Sequence, residues 1–596
     1  MMHYLLLDGA LMSIQILYTQ MMDKLKNLDP GNWQDIDWIL TDFQQINSPQ
    51  TSTTYNDFIQ SSHKGLAFLT FDYGIDGVSI EIAKYAESLN DLLSENGKPD
   101  IHFIGGDFFH QADSILKPDW KRFHIQGANG WSKWDQGKWF AKLFYEDMSE
   151  DNHQEPDELV AEIWKQAVSL SERLGNYLAE NGITLLIPVN ISSNPGNLAL
   201  GLAVVLVSEA MGTYVLNSNH DFYWESGKPA FERKPGEAPG PRDHFFRNIY
   251  HQSFFSLFGR IYPWNGRRWI QVNINRLQSE KLIEGYSFLK DRVCEISTSL
   301  SDKFFHKYTS ADVKSVRRRM AYILSDGQPI IHPISIQQHY DNLNEWMSDQ
   351  KPLVCGVREG LNLDLSSNQL IYYLQPTRVI SRKRIEKDCQ LIGSLLHYPA
   401  FREEFEKDTQ RQIVLHITGP VPIEHQADLE TVIRAFIDVI NSVPPAIAER
   451  LFLAFSVGTE NHSSFAENGF DPLCIEDIYR LADAVLFPSE TDGRGLPIGE
   501  ASASEIPIIC SCYFPEEVFA DAVGEGLTAE RQIQYTLFPE EEMSDTFLDE
   551  VTRVSLFPEK IKDRIAHNRN AAHLRYGKEI MGEIFKKILT ELFNNK

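Results

Sequence analysis

Short buried strands alternate with amphipathic helices along two long stretches of this 596-residue chain. The first series starts with the apolar run 66–71, continues through a helix over 78–93 and extends to a strand over 213–216. The second runs from a strand over 369–374 to a strand over 506–510. Because a strand followed by a helix and another strand builds a parallel crossover, the pattern predicts an α/β protein with two doubly wound domains. Two such layered domains imply a cleft between them.

Composition and patterning divide the chain into four predicted parts. A polar stretch over 47–54 ends a helical extension, and a segment over 225–243 is rich in Gly and Pro, which predicts a long loop. An apolar stripe from Ile580 to Phe593 predicts a final helix that packs on the core, since its other face mixes acidic and basic residues and offers no basic attraction to a membrane. The predicted parts are an N-terminal helical extension (1–62), a first Rossmann-like domain with an inserted loop region (63–360), a second Rossmann-like domain (361–565) and a C-terminal helix (566–596).

The chain is strongly acidic, with 83 Asp and Glu against 56 Lys and Arg, a net charge of −27. A field of that sign repels nucleic acid and anionic membrane surfaces. A negatively charged substrate must therefore be held by a local cluster of basic side chains and backbone N–H groups.

No segment predicts insertion into a membrane or export. The longest apolar run, 198–207, has ten residues, against the roughly 20 that span a bilayer. The first residues lack the basic region of a secretory signal, and the six cysteines form no Cys-x-x-Cys pair. We expect free thiols, no integral membrane segment and a cytoplasmic location.

The segment 482–507 carries the strongest chemical signal. A buried strand ends at Phe487, and a Gly-x-Gly turn leads to a helix that starts near Pro497. This geometry would direct the N–H groups of Gly495 and Leu496 at a phosphate. Asp492 and Glu500 bracket the turn and could accept hydrogen bonds from sugar hydroxyls; the alternative is an ordinary loop with a helix-capping acid.

A basic element follows the first strand of the second domain. Arg378 offers a bidentate guanidinium and Lys383 a point charge, and together they could neutralise a diphosphate. Arg382 and Arg384 are expected at the solvated surface. The alternative for the whole element is a basic turn before a helix.

The segment 488–501 resembles the signature of retaining GT-B glycosyltransferases of the glycogen-synthase, sucrose-synthase and trehalose-synthase type, family 4 in particular. That pattern reads Pro-Ser, two residues, Glu-Gly-Phe-Gly-Leu-Pro, two residues, Glu-Ala; here Asp492 replaces the first Glu and Arg494 replaces Phe. Arg378 and Lys383 match the family's Arg, four residues, Lys element. The resemblance implies two Rossmann-like domains facing a cleft, and transfer of a hexosyl group from a nucleotide sugar with retention.

The resemblance also implies roles for the residues of the second domain. Arg378 and Lys383, with the amides of Gly495 and Leu496, would stabilise the departing diphosphate. Glu500 would hold the ribose hydroxyls and Asp492 the donor-sugar hydroxyls. Arg494 would add a cation near the phosphates, and no metal or other cofactor is expected.

Two residues of the first domain match the family less fully. Gly77 corresponds to the second glycine of a Gly-Gly-Val loop that approaches the donor, but Asp76 stands at the first. His220, after the strand over 213–216, matches the family's active-site His that contacts the donor sugar; the alternative is a structural histidine.

The expected partners are a nucleotide sugar and a small soluble acceptor such as a sugar, sugar phosphate, glycerate or glycerol. The sequence does not identify the hexose, the nucleotide or the acceptor, and it is compatible with a homo-oligomer. A GT-B phosphorylase and a non-catalytic nucleotide-sugar-binding protein stay open as alternatives. A dinucleotide-dependent reductase is disfavoured because no Gly-x-Gly-x-x-Gly follows the first strand.

Overall fold

The computed structural model divides the chain into two compact units. The first contains Met1–Thr298 and Met581–Lys596, and the second contains Ser299–Ile580. The loop predicted over 225–243 lies outside the described residues beyond Glu225. The structure describes residues 18–20, 22–46, 54–61, 63–74, 76–130, 154–225, 259–325, 331–333, 352–419 and 426–594.

The first unit is built on a seven-stranded sheet in the order β5-β3-β1-β6-β7-β8-β9, and a small parallel pair, β2 and β4, stands beside it. Every described pairing in the large sheet is parallel. The strands are β1 (Gly65–Leu69), β2 (Asp72–Tyr73), β3 (Asp100–Gly105), β4 (Asp107–Phe108), β5 (Lys121–His124), β6 (Ile183–Pro188), β7 (Tyr214–Asn219), β8 (Trp269–Asn273) and β9 (Val293–Glu295). The helices are α1 (Trp33–Ile46), α2 (Tyr55–Gln60), α3 (Gly77–Leu93), α4 (Gln154–Glu180), α5 (Leu198–Met211) and α6 (Arg276–Gly285).

Helix α5 shows how the sequence sets an element of this unit. Asn197 caps its start by accepting the N–H of Leu200, and Gly212 ends it in the left-handed region at φ 66°. The side chains from Leu198 to Ser208 are all buried, because α5 lies between the sheet and other helices of the unit. A helix that is apolar on every side is stable only in such a position.

Helix α1 and the final described helix both pack in the first unit. Trp33, Ile36 and Leu40 of α1 join the core cluster that contains α4 and α5. The final helix, α19 (Lys578–Asn594), places Phe585 and Phe593 in the cluster that contains α3. The ring of Phe593 stacks on Phe58 of α2 at 4.5 Å between centroids. The predicted packing of this apolar stripe on a protein core is confirmed.

The second unit is built on an eight-stranded sheet in the order β10-β11-β14-β13-β12-β15-β16-β17, in which β11 and β14 pair antiparallel and the other described pairs are parallel. The strands are β10 (Ile331–Pro333), β11 (Leu353–Gly356), β12 (Leu370–Gln375), β13 (Gln412–Ile417), β14 (Leu451–Phe455), β15 (Ala484–Phe487), β16 (Ile508–Cys510) and β17 (Thr536–Leu537). The helices are α7 (Asp302–Phe305), α8 (Ser310–Ser325), α9 (Glu386–His397), α10 (Pro399–Glu406), α11 (Gln426–Ser442), α12 (Pro445–Ala448), α13 (Ser463–Asn468), α14 (Ile475–Tyr479), α15 (Leu496–Ala503), α16 (Glu516–Val523), α17 (Asp545–Leu556) and α18 (Lys562–Tyr576).

The strands of the two sheets follow the same pattern of order. In each, the first strand of the series lies in the middle, the next strands extend to one side and the later strands to the other. The direction reverses between β1 and β6 in the first sheet, and between β12 and β15 in the second. This is the strand order of Rossmann-like domains, and the predicted α/β class with two such domains is confirmed.

The unit limits differ from the predicted domain limits. The chain passes into the second unit between Thr298 and Ser299, whereas 360/361 was predicted. The reason is that β11 pairs with β14 and so belongs to the second sheet. The helix predicted over 566–596 is two helices, since α18 ends before Gly577, whose backbone is extended.

Candidate functional site

Two loops leave the second sheet side by side. One follows β12 and the other follows β15, and these strands pair in parallel, Tyr373 with Ala484 and Leu374 with Val485. Both loops therefore start from the carboxyl ends of neighbouring strands, at the point where the winding of the sheet reverses. Ligands of doubly wound domains bind at such points. The predicted basic element lies in the first loop and the predicted acidic element in the second.

The first loop carries Arg378 and Lys383 into different surroundings. A single 3₁₀ turn, Ser381–Lys383, buries the Lys383 side chain, and Arg384 then enters the left-handed region at φ 51° before α9 begins. Arg378 is exposed. Gly419, after β13, lies so close to the backbone of residues 377 and 378 that a Cβ there would overlap it. That glycine, which sequence reasoning missed, allows the loop its path.

Lys383 and Asp492 form a buried ion pair that joins the two loops. The Lys383 ammonium donates to Oδ2 of Asp492, and the two side chains are 8% and 14% exposed. The Lys383 Nζ also lies 5.1 Å from the centroid of the Phe487 ring, the last residue of β15. The structure thus brings together two predicted site residues that stand far apart in the sequence.

Burial and pairing act in opposite directions on the acid of this pair. Burial alone would raise the pKa of Asp492, but attraction to Lys383 and the hydrogen bonds that it accepts hold the pKa below its ordinary value. Burial lowers the pKa of Lys383, and the charge of Asp492 only partly opposes that shift. The carboxylate is therefore ionised at neutral pH.

Asp492 also organises its own loop. Its Oδ1 accepts the N–H of Arg494 at 2.9 Å and the N–H of Gly495 at 2.8 Å. The N–H of Gly495, which was predicted to face a phosphate, is thus directed at Asp492. The physical reason is the nearness of the carboxylate, three residues before Gly495, to the start of the helix, where backbone N–H groups need acceptors. For the Gly495 amide, the alternative of a helix-capping acid is therefore correct.

The turn into α15 needs glycine at Gly495. Its φ is 67°, and a Cβ there would overlap the hydroxyl of Tyr513 and lie 3.0 Å from the Cβ of Ala522. Leu496 is the first residue of the helix and Pro497 the second, so the helix starts close to the predicted place. The half-buried Arg494 lies beside this turn.

Glu500 has a partner that the sequence did not indicate. The hydroxyl of Tyr479 donates to Oε2 of Glu500 at 2.7 Å, from the last residue of α14. Tyr479 is fully buried, and burial raises the pKa of its hydroxyl well above the ordinary value. The hydroxyl is therefore a permanent donor that fixes the half-buried carboxylate. No residue spacing connects Tyr479 to the motif.

Arg382 does more than the solvated surface role predicted for it. Its Nη1 donates to the carbonyl of Thr491 at 2.9 Å, and its own carbonyl accepts the N–H of Glu490 at 2.8 Å. Arg384 pairs with Glu386 at 2.6 Å. Arg382 is therefore a second connection between the two loops.

In the first unit, Asp76 and Gly77 form the start of α3. The carboxylate of Asp76 accepts the N–H of Val78 at 2.8 Å and of Ser79 at 2.9 Å. Gly77 is the first helical residue, it is exposed, and no described atom lies within 4 Å of a Cβ built there. The acid at the place of the family's first glycine is therefore a helix cap, and none of the described residues crowds position 77.

His220 directly follows β7 and is held through its backbone. Its N–H donates to Oδ1 of Asn190 at 2.7 Å, and its carbonyl accepts from Nε2 of Gln278 at 3.2 Å. The imidazole is 8% exposed and meets the ring of Tyr85 edge-on at 6.4 Å. His220 and Gly77 belong to the first unit and the other predicted site residues to the second.

The described part of the chain contains neither a cluster of potential metal ligands nor a membrane-spanning helix. No group of three or more His, Cys, Asp and Glu side chains there could hold a metal ion. No helix within the same residues has the length and apolar character of a membrane span.

Comparisons with known proteins gave matches among solved structures. No family model matches the chain, and no curated protein matches it. A glycosyltransferase from Rickettsia africae is 12% identical with a TM-score of 0.49, over 90% of this chain and all of that one. Anabaena HepE, solved with UDP and glucose, is 10% identical with a TM-score of 0.47, over 88% of this chain and 98% of that one. Sucrose-phosphate synthase from Thermosynechococcus elongatus is 12% identical with a TM-score of 0.47, over 89% of this chain and all of that one. The strand orders of the two sheets are by themselves those of Rossmann-like domains.

Proposed function

We propose that this protein is a retaining GT-B glycosyltransferase that moves a hexosyl group from a nucleotide sugar to a small soluble acceptor. The observation that carries the proposal is the buried pair of Lys383 and Asp492 at the winding reversal of the second sheet. It unites a diphosphate-binding cation and a sugar-binding acid, each from a motif that resembles the same family.

The proposed chemistry requires stabilisation of a departing diphosphate. The transition state has oxocarbenium character, and the charge that grows on the leaving group needs fixed cations nearby. Lys383 meets that need from a buried position, where its charge acts strongly, and exposed Arg378 adds a bidentate donor. Binding of the donor would move the Lys383 ammonium from Asp492 to the phosphates.

The same exchange gives Asp492 its proposed role. Its Oδ1 keeps the amides of Arg494 and Gly495, and Oδ2 becomes available to a hydroxyl of the donor sugar. Glu500, fixed by Tyr479, would accept from the ribose hydroxyls. Arg494 and the amide of Leu496 complete the proposed donor site.

For His220 and Gly77 we keep the roles that the family resemblance implies, contact with the donor sugar for His220 and approach to the donor for Gly77. The acceptor hydroxyl proton would pass to the leaving phosphate oxygen as the new glycosidic bond forms, so that no side-chain base is needed. Metal independence, a cytoplasmic location and a homo-oligomer are parts of the proposal that rest on the sequence alone.

The proposal is tested by a panel of nucleotide sugars and small acceptors, with and without EDTA, in which released nucleoside diphosphate is measured. We expect turnover with one donor. In Lys383→Ala, kcat should fall by on the order of 10²-fold or more, because a preorganised cation is lost. Lys407→Ala, which removes an exposed lysine on the same unit, should keep normal turnover. Near-normal turnover in Lys383→Ala would contradict the assignment.

A second candidate, nucleotide-sugar binding without turnover, is favoured by the state of Asp492. Both of its carboxylate oxygens are engaged within the protein, one by Lys383 and the other by two amides. This candidate predicts that a donor binds in calorimetry while nucleoside diphosphate release stays at background with every acceptor. Sugar 1-phosphates in the same panel would reveal a phosphorylase.

A further inference from the structure

A cavity of about 410 Å³ opens at the amino ends of three strands of the first sheet. Thr213 comes directly before β7, Arg268 directly before β8, and Arg292 directly before β9, and all three line it. Arg267 and Asn265 add to the polar lining, and the exposed Leu289 is part of the lining as well. The size falls within the range of small-molecule sites.

The arginines are held by the fold. Arg268 donates to the carbonyl of Gly212 and lies over the ring of Tyr214, 4.6 Å from its centroid. Nη1 of Arg292 donates to the carbonyl of Arg267 at 2.6 Å, which uses one of the five donors of its guanidinium. The cavity therefore presents preorganised guanidinium groups.

Two glycines shape the wall behind these side chains. Gly212 lies at φ 66°, and a Cβ there would stand 3.0 Å from Nη1 of Arg268. A Cβ on Gly266 would stand 2.5 Å from both Oε1 of Glu209 and Cδ1 of Trp269. A larger residue at either position would displace these lining side chains.

The charge of this cavity opposes that of the whole chain. Among the described residues, three arginines and one acid line it; the acid is Glu209, whose carboxylate accepts the indole N–H of Trp264 at 2.7 Å. Burial raises the pKa of Glu209. In a chain with a net charge of −27, a concentration of positive charge around a concave space selects a small anion.

The position separates this cavity from the carboxyl edge of the same sheet. β8 has five residues between its ends, and at the usual rise its length is about 16 Å. His220 lies beyond the far end of the neighbouring strand β7. A ligand in the cavity would therefore not touch His220, and its effect on any reaction there would be indirect.

We infer that this cavity binds a small phosphorylated metabolite, a phosphate monoester on a sugar-sized carrier. Guanidinium groups pair with phosphate oxygens in bidentate fashion. Thr213 and Asn265 offer hydrogen bonds to the hydroxyls of the carrier. This inference does not depend on the proposed glycosyltransferase activity.

Isothermal titration of the full chain with glucose 6-phosphate, and with uncharged glucose, tests the inference. We expect the phosphate ester to bind and glucose to fail. Arg267→Gln combined with Arg292→Gln should raise the Kd for the ester at least about tenfold, since two charge-assisted contacts are lost. The matched control combines Arg173→Gln with Arg276→Gln, one arginine on a carbonyl and one exposed, both outside the cavity.

Lys383→Ala separates this cavity from the proposed donor site and should leave the binding unchanged. Binding that is lost in Lys383→Ala and kept in the cavity variant overturns the inference, as does the absence of binding at millimolar ester. If the cavity variant does not fold, hydrogen exchange on the unaltered protein tests whether the ester binds in the cavity. Added ester should protect residues 208–213 and 265–269, and unchanged exchange there overturns the inference.

Discussion

At the residue scale, the state of Lys383 determines how the proposed donor site responds to pH. Burial lowers the pKa of its ammonium below 10.5, so its charge is lost at a lower pH than that of a free lysine. We expect kcat/KM to fall on the alkaline side with a pKa below 10.5, because this parameter reports the free enzyme.

Lys383→Arg provides the check on that prediction. Arginine stays protonated far above the range of lysine, so the alkaline fall should move to higher pH even if the overall rate is reduced. The pH profiles of both proteins are measured with the same donor. If kcat/KM falls at the same alkaline pH in Lys383→Arg and in the unaltered protein, the fall belongs to a group other than Lys383.

Tyr479 gives a second prediction at this scale. Tyr479→Phe removes the hydrogen bond to Glu500 and keeps the buried ring, so the carboxylate should lose its fixed orientation. A hydrogen bond to a charged group is worth about 1.5–3 kcal/mol, and we expect KM for the donor to rise about tenfold or more, with kcat less affected. Tyr398→Phe is the control, since that hydroxyl bonds Asp549 on the surface of the same unit. Equal KM values in Tyr479→Phe and the unaltered protein would contradict a role of Glu500 in donor binding.

At the scale of elements, two helix starts that look alike in sequence make opposite demands. Gly495 before α15 has no room for a side chain, whereas a Cβ at Gly77, at the start of α3, would lie more than 4 Å from every described neighbour. Gly495→Ala should cost more than about 1 kcal/mol, since it adds left-handed strain and a clash with Tyr513. Gly77→Ala should be neutral or stabilising by up to about 1 kcal/mol. Denaturant unfolding measures both, and a destabilised Gly77→Ala would show a steric demand that the helix start does not explain.

The elements also mark how far the sequence could predict this molecule. The apolar runs that became α5, β14 and β15 predicted their elements to within a residue, because a strand or helix buried on all sides leaves a continuous signal. β10 and β11 have three and four residues, too few for periodicity, and β14, the strand that pairs with β11 on its other side, lies far along the chain. Lys383 and Asp492 could each be singled out, but their contact depends on the pairing of β12 with β15. The cap formed by Asp76 follows the usual pattern of an acid directly before a helix, whereas the partner of Glu500 depends on side-chain positions that no spacing encodes.

At the scale of the whole molecule, α19 supplies part of the interior of the first unit. Phe585 is 1% exposed and meets the ring of Tyr85 edge-on at 5.3 Å. Phe585→Ala should lower the free energy of unfolding of the first unit by about 3–5 kcal/mol. Tryptophan fluorescence reports on that unit, since ten of the eleven tryptophans precede residue 299. Lys586→Ala, on the exposed face, is the control, and equal unfolding midpoints for the two variants would contradict the prediction.

The return of the chain to the first unit at Met581 also bears on the order in which a ribosome delivers the parts of this protein. The second unit is one continuous segment and can close as soon as residue 580 has emerged. The first unit, begun hundreds of residues earlier, lacks Phe585, Ile588 and Leu592 until residues 581–594 follow. During synthesis the core of the first unit therefore stays incomplete while the second unit folds. A premature stop before α19 would leave that core exposed to chaperones and proteases.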